Sequence, residues 1–372
     1  MSLWQRLRHL VHQLEQWWDR LWQRWRQTSL QQTPVTIVPY IGHGTHHLLR
    51  IRGRVLQNRH IPPATASDSI WRNLRNIYRR FITAEIPYAE VTVQFDDQQE
   101  KVQADDEGYF LVELHLEKPL PPDAYWLNVE LTYDDGQRTT QVTGSAVVPS
   151  QNAEYGIVSD LDDTVLRSEV INWFKLARNT FLRNAHTRLP FHGVAEFYQA
   201  LQDGVTPGIH NPIYYVSNSP YNLYDMIEEF FRLREIPLGP IFLRDFGVGS
   251  DYFVASRRHK KNRIEDLLAL HPDLPFILIG DSGEYDASIY LEIIKEYPGR
   301  IIAVYIRDVE PNRPDTTRDQ RVKLLAKEAE KAGCEMLLIG DTLAAAKHAV
   351  EHGFILPSKL DDIAAAVEAD QP

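Results

Sequence analysis

The sequence predicts an α/β protein: a parallel sheet with helices on both faces, preceded by a small antiparallel β-sandwich and an N-terminal amphipathic helix. Three observations carry this. From about residue 150 onward, short continuous apolar runs (GIVS, IYYVS, IFL, FILIG, IIAVYI and MLLIG) alternate with helical stretches, the rhythm of a sheet buried on both faces. Ahead of them, runs such as HLLRIRGRVL, AEVTVQF, GYFLVELHL, WLNVELTY and TQVTGSAVV alternate with period two between turn signals. The first thirty residues place their apolar side chains at helical spacing. The expected organisation is therefore a helix over 1–32, a sandwich over 33–149 and an α/β domain over 150–372.

The head, SLWQRLRHLVHQLEQWWDRLWQRWR, holds five of the eight tryptophans. Its apolar residues fall within an arc of roughly 140° when plotted at about 100° per residue. Residues 1–30 carry five arginines against two acids, a formal +3, which leaves −14 for the rest of a chain whose net charge is −11. The acidic balance argues against a nucleic-acid-binding surface, and a basic head on an acidic body suggests that the head has its own partner. No run is long or apolar enough to cross a bilayer and no secretory leader is evident, so the Trp/Leu face opposite an Arg-bearing face is expected to lie on a membrane surface. A heptad seam, or packing on the protein's own body, fits the same spacing. The single cysteine, Cys334, permits no internal disulfide, and a cytoplasmic setting is expected.

Within the sandwich segment the turn signals sit at 105–108 and 134–136, and the interruption SDSIWRNLRNIYRRF reads as a helix. His43, His46 and His47 have no evident partner ligands and are expected at the surface. Beyond residue 150, YNLYDMIEEFFRLR, RIEDLLALH, ASIYLEIIKEY and RVKLLAKEAEKAG read as helices, with His259-Lys260 opening one of them, and RDVEPNRPDTTRDQ reads as a polar loop. LLIGDTLAAA reads as a sixth strand followed by an N-capped helix, with His348 and Glu351 on its surface.

In parallel α/β sheets the site lies beyond the carboxyl ends of the strands. Asp160 and Asp162, in VSDLDDTV, follow the first run; Ser217 and Asn218 follow the second; Asp281 and Asp286, in GDSGEYD, follow the fourth. Carboxylates crowded at one sheet edge repel unless a cation shares them, and Mg²⁺ is the hard, oxygen-seeking ion for such a set, with Asp160, Asp162, Asp281 and Asp286 as its expected group. Asp160 is placed to attack phosphorus, Asp162 to protonate the leaving alkoxide and later activate water. Ser217, Asn218 and Lys260 are expected on the phosphoryl oxygens, Lys261 being the alternative lysine, and Arg307 on substrate phosphate or headgroup.

The stretches SDLDDTV, FLRNAHTRLPFHGVAEFY, NPIYYVSNSPYNLYDMIEEFF, GPIFLRDFG, HKKNRIEDLL and FILIGDSGEYD resemble the phosphatidate phosphatase family first associated with actin patches in yeast, in its bacterial form. DLDDT, the strand-end serine, the lysine and GDxxxxD resemble the four motifs of the wider haloacid dehalogenase superfamily. The resemblance covers about 150–355. It implies that superfamily's fold, Mg²⁺-dependent release of phosphate from phosphatidate, and a phospholipid substrate met at a membrane. Asp160 matches the nucleophile, Asp162 the acid/base, Ser217 and Lys260 the phosphoryl-binding pair, Asp281 and Asp286 the metal group, and Asp163 and Thr164 the supporting positions of the first motif. Protein partners are left open. A soluble or protein-bound phosphomonoester is the alternative substrate. Only 57 positions separate Asp160 from Ser217, so no sheet-bearing cap is expected there. INWFKLARNTFLRNAHTRLPF either borders the entrance or simply covers the sheet.

Overall fold

The structure is a computed structural model describing residues 34–57, 85–161, 193–244, 252–283, 285–309 and 316–369, with the backbone alone at Met226 and over 252–256. The expected head helix, the SDSIWRNLRNIYRRF helix, the INWFKLARNT stretch, and Asp162, Asp163 and Thr164 lie outside the described residues. Two sheets and seven α-helices are seen among the rest.

The first sheet contains β1 (Val35–Pro39), β2 (Gly42–Thr45), β3 (Leu48–Gln57), β4 (Glu90–Phe95), β5 (Gln98–Gln103), β6 (Tyr109–His115), β7 (Trp126–Asp134) and β8 (Thr139–Val147). Its order is β1-β3-β2-β8-β7-β4-β5, with β6 paired to β3. The pairs β1/β3, β2/β3, β4/β5 and β4/β7 are antiparallel, and β2/β8 is parallel. Two of these strands escaped the sequence reading. β5, QQEKVQ, is an edge strand with a mostly exposed face and no apolar alternation, held to β4 in part by Lys101 and Glu90 at 2.7 Å. Charged edge strands of this kind resist adding a further strand. β2, GHGT, is short and glycine-rich.

The chain divides into two compact units, one of Met1–Pro39, Gly53–Leu111 and Glu130–Thr143, the other of Tyr40–Arg52, Val112–Val129 and Gly144–Pro372. In the first, Val35, Ile37, Val55, Val91, Val93, Phe110 and Leu131 are buried. Gly53 is required there, because a Cβ would lie 2.6 Å from the Phe110 ring.

The second unit carries β9 (Gly156–Asp160), β10 (Ile213–Pro220), β11 (Ile241–Arg244), β12 (Phe276–Asp281), β13 (Ile301–Arg307) and β14 (Glu335–Ile339). All pair in parallel, in the order β11-β10-β9-β12-β13-β14. Its helices are α1 (Val194–Asp203), α2 (Tyr224–Leu233), α3 (Tyr252–Leu270), α4 (Asp286–Glu296), α5 (Thr317–Lys331), α6 (Thr342–Glu351) and α7 (Lys359–Ala369). On one face, Val158, Tyr214, Val216, Leu278, Val304 and Ile306 share a core with Ile264, Leu267 and Leu268 of α3, Tyr290 and Ile293 of α4, and Val322 and Ala329 of α5. On the other, Ser159 Oγ meets Tyr198 Oη of α1 at 2.8 Å, Tyr215 packs on Phe231 of α2, and Tyr305 touches both Phe197 of α1 and His348 of α6. Alternate side chains of each strand thus enter opposite cores, which is why the runs read as continuously apolar. The order grows outward from β9 to β11 and then resumes on the other side at β12, so the strand direction of growth reverses beside β9. A crevice opens at such a reversal.

Several local expectations need correction. TRDQ, read as loop, is the first turn of α5: Thr316 Oγ1 accepts from Asp319 N–H (3.2 Å) while Asp319 accepts from Thr316 N–H (2.9 Å). This reciprocal cap satisfies two otherwise orphaned donors and outweighs the polar composition. Lys260 does not open a helix but sits midway along α3, since nothing in FVASRRHKK interrupts helical backbone. Of the histidines expected at the surface, His47 is exposed and His46 is buried, its ring bridging Leu120 O and Pro149 O. His348 is likewise buried, hydrogen-bonded to Tyr305, while Glu351 is exposed.

Candidate active site

The strand ends beside the reversal bring the polar groups together. Asp160 closes β9, opposite Val216 in register, and Leu161 N–H donates to Val216 O at 3.0 Å. β10 continues through Ser217, Asn218 and Ser219, and its pairing with β11 is irregular between Val216 and Pro220. This leaves Ser217 and Asn218 inside the protein, at 0% and 2% exposure. Asp281 closes β12 and is in register with Arg307, the last residue of β13. Asp286 is the first residue of α4, and α3 delivers Lys260 from beside β10.

Lys260 is the hub. Its Nζ lies 2.7 Å from Asp160 Oδ1 and 2.8 Å from Asp286 Oδ1, and all three side chains are essentially buried. Asp286 Oδ2 accepts from the backbone N–H of Asp281 at 3.0 Å, so both of its oxygens are engaged. Asp281 Oδ1 accepts from Gly283 N–H at 2.8 Å, and its Oδ2 is 3.7 Å from the Arg307 guanidinium. One oxygen from each of Asp160, Asp281 and Asp286 lies within 4.8 Å of the others. Among the described residues, Asp160, Asp281 and Asp286 crowd around Lys260 and Arg307 in a desolvated place. At 4 Å two unit charges interact by about 4 kcal/mol at an effective dielectric of about 20. Such a set has the chemistry of a divalent, oxygen-seeking cation site. The neighbouring Lys261 turns away to Glu296, 2.7 Å from its Nζ.

Ser217 Oγ accepts from Ser219 N–H at 3.0 Å, so its own hydroxyl proton is available to another acceptor. Neither amide atom of Asn218 has a hydrogen-bond partner among the described residues, though both are buried. A buried amide left without partners costs on the order of 1–3 kcal/mol, and a bound anion would relieve its N–H side.

Two residues important to this geometry were not singled out from sequence. Gly280 packs so close to Asp286 that a Cβ would stand 2.6 Å from Oδ2. The signal was present as a glycine directly before a strand-end aspartate. Ser282 ties the edge together, its N–H donating to Arg307 O (2.8 Å) and its Oγ accepting from Val309 N–H (3.2 Å).

Burial also keeps several imidazoles neutral. It pushes His259, next to Lys260, down to about 4, and His271, which contacts the Tyr214 hydroxyl, down to about 4, with nearby arginines adding to both. His43 is pushed to about 3, again chiefly by burial. All three fold with values below the ordinary 6.5 of a histidine, so the unfolded chain binds more protons as pH falls below that value. Their contribution is complete above pH 6.5 and is lost on acidification until about pH 4, or about 3 for His43. The urea midpoint should therefore fall steeply between pH 6.5 and 4, each such proton contributing about 1.4 kcal/mol per pH unit. His271→Gln should flatten that slope by about one proton; an unchanged slope would show that His271 is charged in the fold.

Residues 155–308 match the family model described as "Phosphatidate phosphatase APP1, catalytic domain". The match supports that family. The chain is 32% identical over 155 residues to phosphatidate phosphatase APP1 of Saccharomyces cerevisiae, and 31% identical over 156 residues to an uncharacterised protein of Schizosaccharomyces pombe. Each alignment covers 41% of this chain and 25% of the relative, so the chain spans about a quarter of the length of the curated relatives it matches. Among solved structures, a carbohydrate acetylesterase from Xanthomonas citri aligns over 79% of this chain and 75% of its own at 12% identity, with a TM-score of 0.27, a value that supports no inference. The matched stretch contains Asp160, Ser217, Asn218, Lys260, Asp281, Asp286 and Arg307.

Proposed function

We propose that this chain is a Mg²⁺-dependent phosphatase that converts phosphatidate to diacylglycerol and inorganic phosphate, with the superfamily fold and motifs named above. The observation that carries the reading is the gathering of Asp160, Asp281 and Asp286 around Lys260 at the carboxyl edge of a parallel sheet, inside the stretch similar to a phosphatidate phosphatase catalytic domain. Asp160 and Asp281 would hold the ion, with Asp286 beside them and Asp162 completing the group; when bound, Mg²⁺ supplies positive charge to the transferring phosphoryl oxygens.

Asp160, with one oxygen held by Lys260, uses the other to attack phosphorus. The P–O bond to the glycerol oxygen breaks, and Asp162 gives that oxygen its proton. Water then attacks the aspartyl-phosphate, losing a proton to Asp162, and Asp160 is regenerated. Lys260 favours the ionised form of Asp160 before attack and after its release, and the Ser217 hydroxyl, the Asn218 amide and Arg307 donate to the phosphoryl oxygens. Asp163 and Thr164 would hold the loop that carries Asp162.

Among the described residues no helix is long and apolar enough to cross a membrane. A substrate that stays in its bilayer would instead be met through residues 1–30, whose Trp/Leu and Arg faces suit the headgroup boundary. The test compares phosphate release from phosphatidate vesicles with release from a soluble aryl phosphate, each with and without Mg²⁺. Faster, Mg²⁺-dependent release from vesicles is expected, and removal of 1–30 should weaken vesicle binding while sparing the soluble ester. Equal or better turnover of the soluble ester by the intact chain would instead favour a soluble phosphomonoester as substrate.

A further inference from the structure

At the opposite edge of the parallel sheet, Glu335, His348 and His352 converge. Glu335 is the first residue of β14, whereas Asp160, Asp281 and Arg307 are the last residues of theirs. Parallel strands place these two sets at opposite ends of the sheet. His348 and His352 are four residues apart at the end of α6, hence on one helix face, with their rings stacked at 4.0 Å.

Both imidazoles present Nε2 to the same carboxylate: His348 Nε2 lies 2.9 Å from Glu335 Oε2, and His352 Nε2 lies 3.5 Å from Glu335 Oε1. The other ring nitrogens are held from behind. His352 Nδ1 lies 3.0 Å from the His348 carbonyl, which only accepts, so Nδ1 carries the proton and the neutral ring's Nε2 is a lone pair. That Nε2 faces a carboxylate oxygen, and a second ring proton or a metal cation is what the two can share. His348 Nδ1 is held by the buried Tyr305 hydroxyl at 2.9 Å. Such rear contacts fix ring orientation in metal sites.

We propose that Glu335, His348 and His352 form a second cation site, selective for a zinc-type divalent ion and separate from the carboxylate cluster. Ligands about 2.0–2.1 Å from a tetrahedral zinc sit about 3.3–3.4 Å apart; the two imidazoles lie 2.9 and 3.5 Å from the two oxygens of one carboxylate, and one donor atom from each residue lies within 4.8 Å of the others. Two imidazoles with one carboxylate suit zinc and disfavour magnesium, which demands oxygen ligands. His352 and Glu335 are partly open to solvent, at 39% and 56% side-chain exposure, which leaves an entry path and a position for water. A bound ion would fasten the end of α6 to the start of β14.

The experiment uses the untagged full chain, freed of metal with a chelator and titrated calorimetrically with zinc chloride in millimolar Mg²⁺, which on the proposed function fills the carboxylate cluster. Wild type should take up one zinc and gain thermal stability; cobalt should give a visible absorption band of tetrahedral type. Glu335→Gln and His352→Ala alter exposed side chains, and each should weaken zinc by roughly tenfold or more, since even the outer partners of ligands contribute about 10–100-fold. Asp281→Asn should leave zinc binding unchanged. The proposal is overturned if wild type takes up no zinc under these conditions, if both variants bind as wild type does, or if only Asp281→Asn abolishes uptake.

Discussion

Asp160→Asn is expected to lower phosphate release by about 10⁴-fold or more and to leave the fold intact. The amide keeps the shape of the side chain but removes the carboxylate that, on the proposed function, attacks phosphorus with the oxygen not held by Lys260, whose Nζ lies 2.7 Å from Oδ1. Lys260 retains its second partner, Asp286, at 2.8 Å, so no buried cation is stranded. The substitution removes one of three crowded carboxylates, and stability without metal should stay within about 1 kcal/mol of wild type. Single-turnover phosphate release and urea unfolding, measured on the same preparation, separate chemistry from folding. Turnover retained at wild-type rate would show that another group attacks phosphorus.

Lys260→Met should cost more in stability than any surface change. It removes the cation common to Asp160 and Asp286 and leaves two buried carboxylates facing each other. Removing one partner of a buried ion pair typically costs 3–5 kcal/mol, because the remaining charge stays desolvated. Urea unfolding without divalent cations should show a loss of about that size. Millimolar Mg²⁺ should recover part of it by supplying charge at the same carboxylates, and adding Asp286→Asn should recover part of it by a different route. A variant as stable as wild type in chelator would mean that the carboxylates are not ionised together in the fold. Phosphate release should be lost in either background.

Much of the α/β unit was legible because its six strands bury both faces. Tyr214 and Tyr215 enter opposite cores, and so do Val304 and Tyr305, so the apolar runs were unbroken and their ends were easy to see. Each apolar run ended on or just before a polar residue, Asp160, Ser217 and Asp281, with Asp286 five positions beyond the last, which made the four visible as a set. Adjacent lysines were harder. Period alone cannot tell which of Lys260 and Lys261 turns inward; that depends on the roll of α3 against β10, which only packing fixes. β5 was missed for the opposite reason, since an edge strand has one covered side at most and QQEKVQ has no apolar face to display. His46 and His348 were placed at the surface because a polar residue is the default there. Their burial rests on partners far away in sequence, Leu120 and Pro149 for one and Tyr305 for the other. Gly280 shows a similar limit: the clash that requires it involves Asp286, one turn beyond the strand.

The tie between Asp160, Lys260 and Asp286 also bears on how the chain acquires its shape. These groups come from chain positions far apart, and β9 must be flanked by both β10 and β12 before they can meet. Loop-closure entropy makes such long-range pairing slow relative to helix formation and collapse. Recovery of catalysis during refolding should therefore trail the return of helical signal, reporting the moment the centre of the sheet zips shut.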